Sequence, residues 1–149
     1  MKTLLISIAG ALAILALTTS PAFAKPGWSD DYAKASAQAK AEKKLLLIDF
    51  TGSDWCGWCI KLDKEVFSKP EFQEYAKKNL VLVEADFTSD GKAKSKEFGK
   101  QQDAMLKEYK VQGFPTVVVL NADGKKIGET GYKPSPAEFI AELEKLKGK

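Results

Sequence analysis

Leu45-Leu46-Leu47-Ile48-Asp49-Phe50 is followed by Thr51-Gly52-Ser53-Asp54 and then by Trp55-Cys56-Gly57-Trp58-Cys59. The first six residues are a short, nearly continuous apolar run, the pattern of a parallel strand buried on both faces. The next four are turn formers. A helix is expected to start at Cys56 and to reach about Phe67. The chain's two cysteines therefore stand three positions apart at a helix start. At that spacing the sulfurs can join and still open to a dithiol. The first sulfur lies beside unpaired backbone N–H groups and the positive end of the helix dipole, and both favour its thiolate, the nucleophilic form. The second, one turn further in, suits a resolving role. A bare C-x-x-C has several readings; strand, turn and helix around it narrow them to redox chemistry.

Two other readings of the pair fare worse. A zinc site needs further ligands, and the chain has no His and no other Cys. A purely structural disulfide across so short a step closes a very small loop and gains little entropy.

Working outward, Trp28 to Lys44 reads as a helix capped by Ser29 or Asp30, with strongly helix-favouring composition. Ser68-Lys69-Pro70-Glu71 reads as a capping box opening a helix through Lys78. Leu80 to Phe87 is a second β run. Thr88 to Lys100 is a polar, Lys-rich connector leading into a helix that ends near Tyr109. Thr116 to Leu120 and Lys126 to Gly131 form a hairpin around the Asn121-Ala122-Asp123-Gly124 turn. Ser135-Pro136 opens the last helix, with Phe139, Ile140, Leu143 and Leu146 on one face. The expected fold is α/β, a central mixed sheet covered by helices on both faces.

The 149 residues suffice for one core. All 23 basic residues are Lys, against 20 acidic ones, and neither Arg nor His occurs. Catalytic units that require His are thereby excluded, as are His-ligated metals and bidentate Arg clamps. A net charge of +3 is too weak to argue for nucleic acid. No metal and no cofactor is called for.

The first 24 residues read as an address. Lys2 begins a short positive region, Leu4 to Leu17 is apolar, and Ala22-Phe23-Ala24 supplies an A-x-A cleavage pattern. The apolar run would reach only ~21 Å as a helix, short of a roughly 30 Å hydrocarbon core. The expected organisation is a signal peptide over 1–24, cleaved after Ala24, and one domain over 25–149. The mature protein is then expected to be periplasmic or secreted, without stable membrane insertion, and to work as a monomer.

Asp49-Phe50, Asp54-Trp55-Cys56-Gly57-Trp58-Cys59-Ile60-Lys61, Gly113-Phe114-Pro115-Thr116 and Asp123-Gly124 together resemble the thioredoxin superfamily. The likeness is to exported bacterial single-domain members and to the periplasmic thioredoxin-like domain of transmembrane disulfide reductases. It implies a thioredoxin fold with an extra N-terminal helix. It implies that Cys56 attacks, that Cys59 resolves, and that Pro115 is a cis-proline facing the disulfide. Asp49 stands where the family has a buried acid, whose raised pKa lets it take the proton of Cys59. Trp55, Gly57, Trp58 and Phe114 are the implied substrate-contacting residues, the Phe114 backbone pairing with an extended chain. Two departures stand out. The turn from Asp49 to Cys56 is one residue longer than the plain family pattern, and Glu84 occupies the place where the family often has a Lys.

The function expected is thiol–disulfide exchange with protein thiols and disulfides, with electrons from a membrane donor. No His stands between the cysteines to hold a thiolate, and Asp54 brings negative charge near Cys56. Both favour a reductase or isomerase over an oxidase. The alternative is a thioredoxin-fold binding or chaperone-like module whose cysteine pair is incidental.

Overall fold

The structure, a computed structural model, describes residues 25–148, so the expected leader lies outside the described residues. Five strands form one mixed sheet: β1 (Trp28–Ser29), β2 (Leu45–Thr51), β3 (Leu80–Asp86), β4 (Thr116–Leu120) and β5 (Lys126–Thr130). Their spatial order is β1-β3-β2-β4-β5. β1 and β2 run parallel to β3, whereas β4 is antiparallel to both β2 and β5. The helices are α1 (Tyr32–Glu42), α2 (Gly57–Leu62), α3 (Pro70–Asn79), α4 (Gly99–Glu108) and α5 (Pro136–Lys147), with a π-helical turn, Asp63–Phe67, continuing α2. This is the thioredoxin fold, with β1 and α1 ahead of the strand that leads to the cysteines.

Strand alternation sorts the core into two layers. Leu47, Val117 and Val119 face Leu62, Val66, Phe67, Phe72, Phe139 and Leu143, under α2, α3 and α5. Leu46, Ile48, Phe50, Val83 and Val118 face Ala35, Ala39, Met105 and Tyr109, under α1 and α4. The period of two puts Asp49 on the same side as Leu47, beneath α2.

Two local expectations need correction. Trp28 does not open a helix: Trp28 and Ser29 pair with Leu82 and Val83 of β3. The Trp28 ring packs 5.0 Å from that of Phe67. A strand of two residues carries no periodic signal, and only its partner makes it one. α1 starts later, with Asp31 as cap, its carboxylate accepting from the Lys34 N–H at 3.1 Å. Ser68 likewise caps no N-terminus. The helix from Cys56 continues through the π turn, so Ser68 closes that element, its N–H donating to Asp63 O. Lys69 precedes α3 with the extended backbone that Pro70 imposes on its predecessor. The Ser-x-x-Glu cap is found instead at Ser135, whose Oγ accepts from the Glu138 N–H at 3.3 Å, with Pro136 next in line.

Candidate functional site

Cys56 and Cys59 form a disulfide, their Cα atoms 5.2 Å apart. Cys56 is the N-cap of α2, and its sulfur accepts from the Cys59 N–H at 3.3 Å. Both cysteines are buried, Cys59 the more so, at 3% exposure against 7%. The turn before them is tied down at both ends. Cys56 N–H donates to Gly52 O at 2.9 Å, and the Trp55 indole N–H donates to Phe87 O at 2.8 Å. The Phe114–Pro115 peptide is cis. The Phe114 ring meets Trp55 edge-on at 5.9 Å and stacks on Phe87 at 5.5 Å. Trp55, Phe114 and Phe87 therefore make one aromatic wall beside the disulfide.

On the other side Trp58 is exposed and packs 5.0 Å from Tyr132, with the Lys61 ammonium over both rings. Tyr132 O–H donates to Glu65. Trp55, Trp58 and Ile60 are the large apolar side chains left exposed among the described residues, and all lie within the Cys56 turn or the first turn of α2.

Gly52 is required by the indole. A Cβ there would lie 2.6 Å from Trp55 Nε1. Gly52→Ala should therefore displace the indole, break its bond to Phe87 and cost about 1–3 kcal/mol. A lowered denaturation midpoint with altered tryptophan fluorescence is the expected result; an unchanged midpoint would mean that the turn yields freely.

Behind the disulfide lies a cleft of about 970 Å³ whose walls include Cys59, Lys25, Asp63, Glu84 and Gln102. Asp49 is 3% exposed, and its Oδ1 has no hydrogen-bond partner among the described residues. It stands opposite Glu84 in the β2–β3 register. Burial pushes its carboxyl up to about 7; Lys25 pulls the other way, and Glu84, Asp63 and Asp86 push it further up. The longer turn thus leaves Asp49 buried on the face that α2 covers. The Glu84 carboxylate is met by a lysine from elsewhere, Lys25, at 2.7 Å.

The connector from Thr88 is more than a polar loop. Lys94 Nζ lies 2.7 Å from Asp54 Oδ1, 3.1 Å from Asp86 Oδ2 and 3.0 Å from Ser53 Oγ. It clamps the connector onto the turn ahead of Cys56 and holds the Asp54 carboxyl below the usual range. Lys94 shares its one charge between Asp54 and Asp86, so the negative charge expected ahead of Cys56 is reduced but not removed. Neither Lys94 nor Lys25 was legible as a site residue. Lys25 meets Asp63 across 38 positions and Lys94 meets Asp54 across 40, separations at which no sequence pattern marks a pair.

Residues 32–147 match the thioredoxin-like domain family. Over 116 residues the chain is 36% identical to the disulfide bond reductase DsbH of Chlamydia pneumoniae, covering 77% of this chain and 69% of that protein. It is 35% identical over 119 residues to the thiol:disulfide interchange protein DsbD of Cronobacter sakazakii, covering 78% of this chain but only 19% of that longer protein. A solved DsbH oxidoreductase structure superposes with a TM-score of 0.71 at 29% identity, covering 85% of this chain and 90% of that one.

Proposed function

The chain belongs to the thioredoxin-like domain family, and on that premise we propose how it is used: it is a thiol–disulfide oxidoreductase acting outside the cytoplasm, as a reductase or isomerase more than as an oxidase. The observation that carries this is the Cys56–Cys59 disulfide at the N-cap of α2, with Cys56 toward the surface and Cys59 deeper, against the cleft.

The reaction follows from that placement. In the dithiol form, Cys56 thiolate attacks one sulfur of a substrate disulfide, and the other leaves as a thiolate. The resulting mixed disulfide joins Cys56 to the substrate. Cys59 gives its proton to Asp49 and attacks Cys56 Sγ, and the second substrate thiol departs. The substrate disulfide has gained two electrons, and the enzyme's dithiol has become the Cys56–Cys59 disulfide. An external dithiol, for which we propose a membrane reductase, restores it by the same exchange in reverse. The exposed Trp55, Trp58 and Ile60 and the backbone of the Phe114–Pro115 turn offer a surface for an extended protein chain.

Direction depends on how strongly the Cys56 thiolate is stabilised. The pair between the cysteines, Gly57 and Trp58, supplies no cation. Lys61 is spent on Trp58 and Tyr132, and Lys94 on Asp54 and Asp86. The reduction potential of the pair should accordingly lie nearer the ~−270 mV of thioredoxin than the ~−120 mV of a strong oxidant. Equilibration with glutathione or dithiothreitol measures it, and a value at the oxidant end would overturn the assigned direction. The leader-like sequence of residues 1–24 and the likeness to the two Dsb relatives support the location. Secretion of a tagged full chain, with N-terminal sequencing for cleavage after Ala24, tests it.

In the reduced protein Cys56 should alkylate much faster than Cys59, with a pKa below the ~8.5 of free Cys. Iodoacetamide labelling followed by peptide mass mapping reads both rates. Equal rates at neutral pH would remove the assigned division of labour.

A further inference from the structure

Lys25 enters from the segment ahead of β1, far in sequence from the cysteines, yet it lines the same cleft as Cys59. Its ammonium lies 2.7 Å from Asp63 Oδ1 and 2.7 Å from Glu84 Oε2. Its Nζ also stands over the Trp28 ring, 4.4 Å from the centroid, and 5.4 Å from that of Phe67, two rings of the core layer under α2, α3 and α5. The groups around Asp49 can be named element by element. β3 brings Glu84, directly across in register, and Asp86; the π turn brings Asp63; β4 brings the apolar Val117 opposite. Cys59, on α2, lines the same cleft as Lys25, Asp63 and Glu84. Lys94 meets Asp86 at 3.1 Å, so Lys25 is the cation left to Glu84 and Asp63 and the one whose charge acts on Asp49 itself. Without it two unpaired carboxylates would face a third that is fully desolvated.

We propose that Lys25 is a positioning residue of the redox site: its charge, delivered by the chain ahead of β1, decides at what pH Asp49 is ionised and able to accept the proton of Cys59. The second clause rests on the reading of Asp49 as proton acceptor given above. Lys25 touches neither sulfur. It acts by neutralising Glu84 and Asp63 and by its own attraction for the Asp49 charge. Its own pKa is consistent with this role: burial pulls it down, but Glu84, Asp49 and Asp63 together hold it above the ordinary lysine value.

Removing the cation should shift Asp49 one way, and removing a facing anion should shift it the other. In the oxidised mature protein, residues 25–149, the titration midpoint of the Asp49 carboxyl carbon, followed by NMR, should rise by about one pH unit or more in Lys25→Met. It should stay near the native value in Lys25→Arg and fall in Glu84→Gln. These opposed shifts are not what a general loss of packing produces, and Lys25→Gln keeps a polar side chain between Glu84 and Asp63 should Lys25→Met fold poorly. An Asp49 midpoint unmoved by Lys25→Met, or by Lys25→Gln where Lys25→Met does not fold, would overturn the proposal. The release of thiol from a Cys56–glutathione mixed disulfide should show the same displacements along the pH axis. If the carboxyl midpoint moves but neither Lys25→Met nor Asp49→Asn alters that release, Lys25 governs Asp49 as proposed, and the reading of Asp49 as proton acceptor is what fails.

Discussion

Cys59→Ser will convert the enzyme into a trap. The variant keeps the Cys56 thiolate at the N-cap of α2, so attack on a substrate disulfide proceeds. The group that releases the substrate is gone, and escape depends on a free thiol arriving from solution. An intramolecular thiol held in place has an effective concentration far above any millimolar reductant, so turnover should fall by at least ~10³-fold. Mixed disulfides with the natural partners should accumulate when the variant is expressed as the full chain. They would run as reducible adducts on non-reducing gels and be absent from Cys56→Ser. Mass spectrometry of the adducts would name both substrates and electron donor. Adducts that persist unchanged in Cys56→Ser would mean that Cys56 is not the nucleophile. No adducts, with insulin reduction by dithiothreitol uncatalysed, would favour the binding-module reading over the enzyme.

Asp49→Asn should separate stability from function, moving them in opposite directions. In the folded protein burial pushes the Asp49 carboxyl up to about 7, against an ordinary value of 3.8. Below the ordinary value the group is protonated whether folded or unfolded, and it favours neither state. As pH rises toward 7 the unfolded chain ionises while the folded one resists, and stability drains away; above 7 the loss levels off. The full difference is on the order of 4 kcal/mol at 1.36 kcal/mol per unit. Asparagine carries no such charge. The variant should therefore be more stable than the native protein at pH 8, by up to about 4 kcal/mol, with the gap closing toward pH 3. Denaturant midpoints across that range test the sign; a native protein that holds its stability relative to the variant as pH rises would show that Asp49 is not desolvated. Resolution of a mixed disulfide should slow in the variant by about 10²-fold, the usual contribution of a general base. The deficit should grow between pH 6 and 8, because native Asp49 becomes able to accept a proton only as it ionises. A deficit that is flat with pH would take Asp49 out of the proton transfer.

Both experiments concern residues that could be found in the sequence, and they differ in how far the sequence could take them. Cys56 and Cys59 were legible because their chemistry is local: a buried strand, a turn and a helix start within a few residues, all readable from hydrophobic pattern and turn composition. The cis Phe114–Pro115 bond came from a resemblance rather than from any local preference, and it is present. Asp49 could be placed by position but not characterised. Its ionisation depends on Lys25, Glu84, Asp63 and Asp86, four groups on three different segments.

The sequence by itself determined the strands and helices with clear periodicity, the two-sided burial of β2, and the redox pair, because these follow from side-chain size and backbone preference along consecutive residues. It misplaced the start of α1 and the Ser68 cap, where competing local signals were resolved by the neighbouring chain. The tertiary structure alone decided that Trp28–Ser29 is an edge strand, that Lys94 ties Asp54 to Asp86, and that Lys25 sits in the cleft behind Cys59. The physical reason is the same in each case. A strand exists only by its partner's hydrogen bonds. A charge is felt through distance and dielectric, and the folded chain sets both by bringing together residues that no sequence pattern connects.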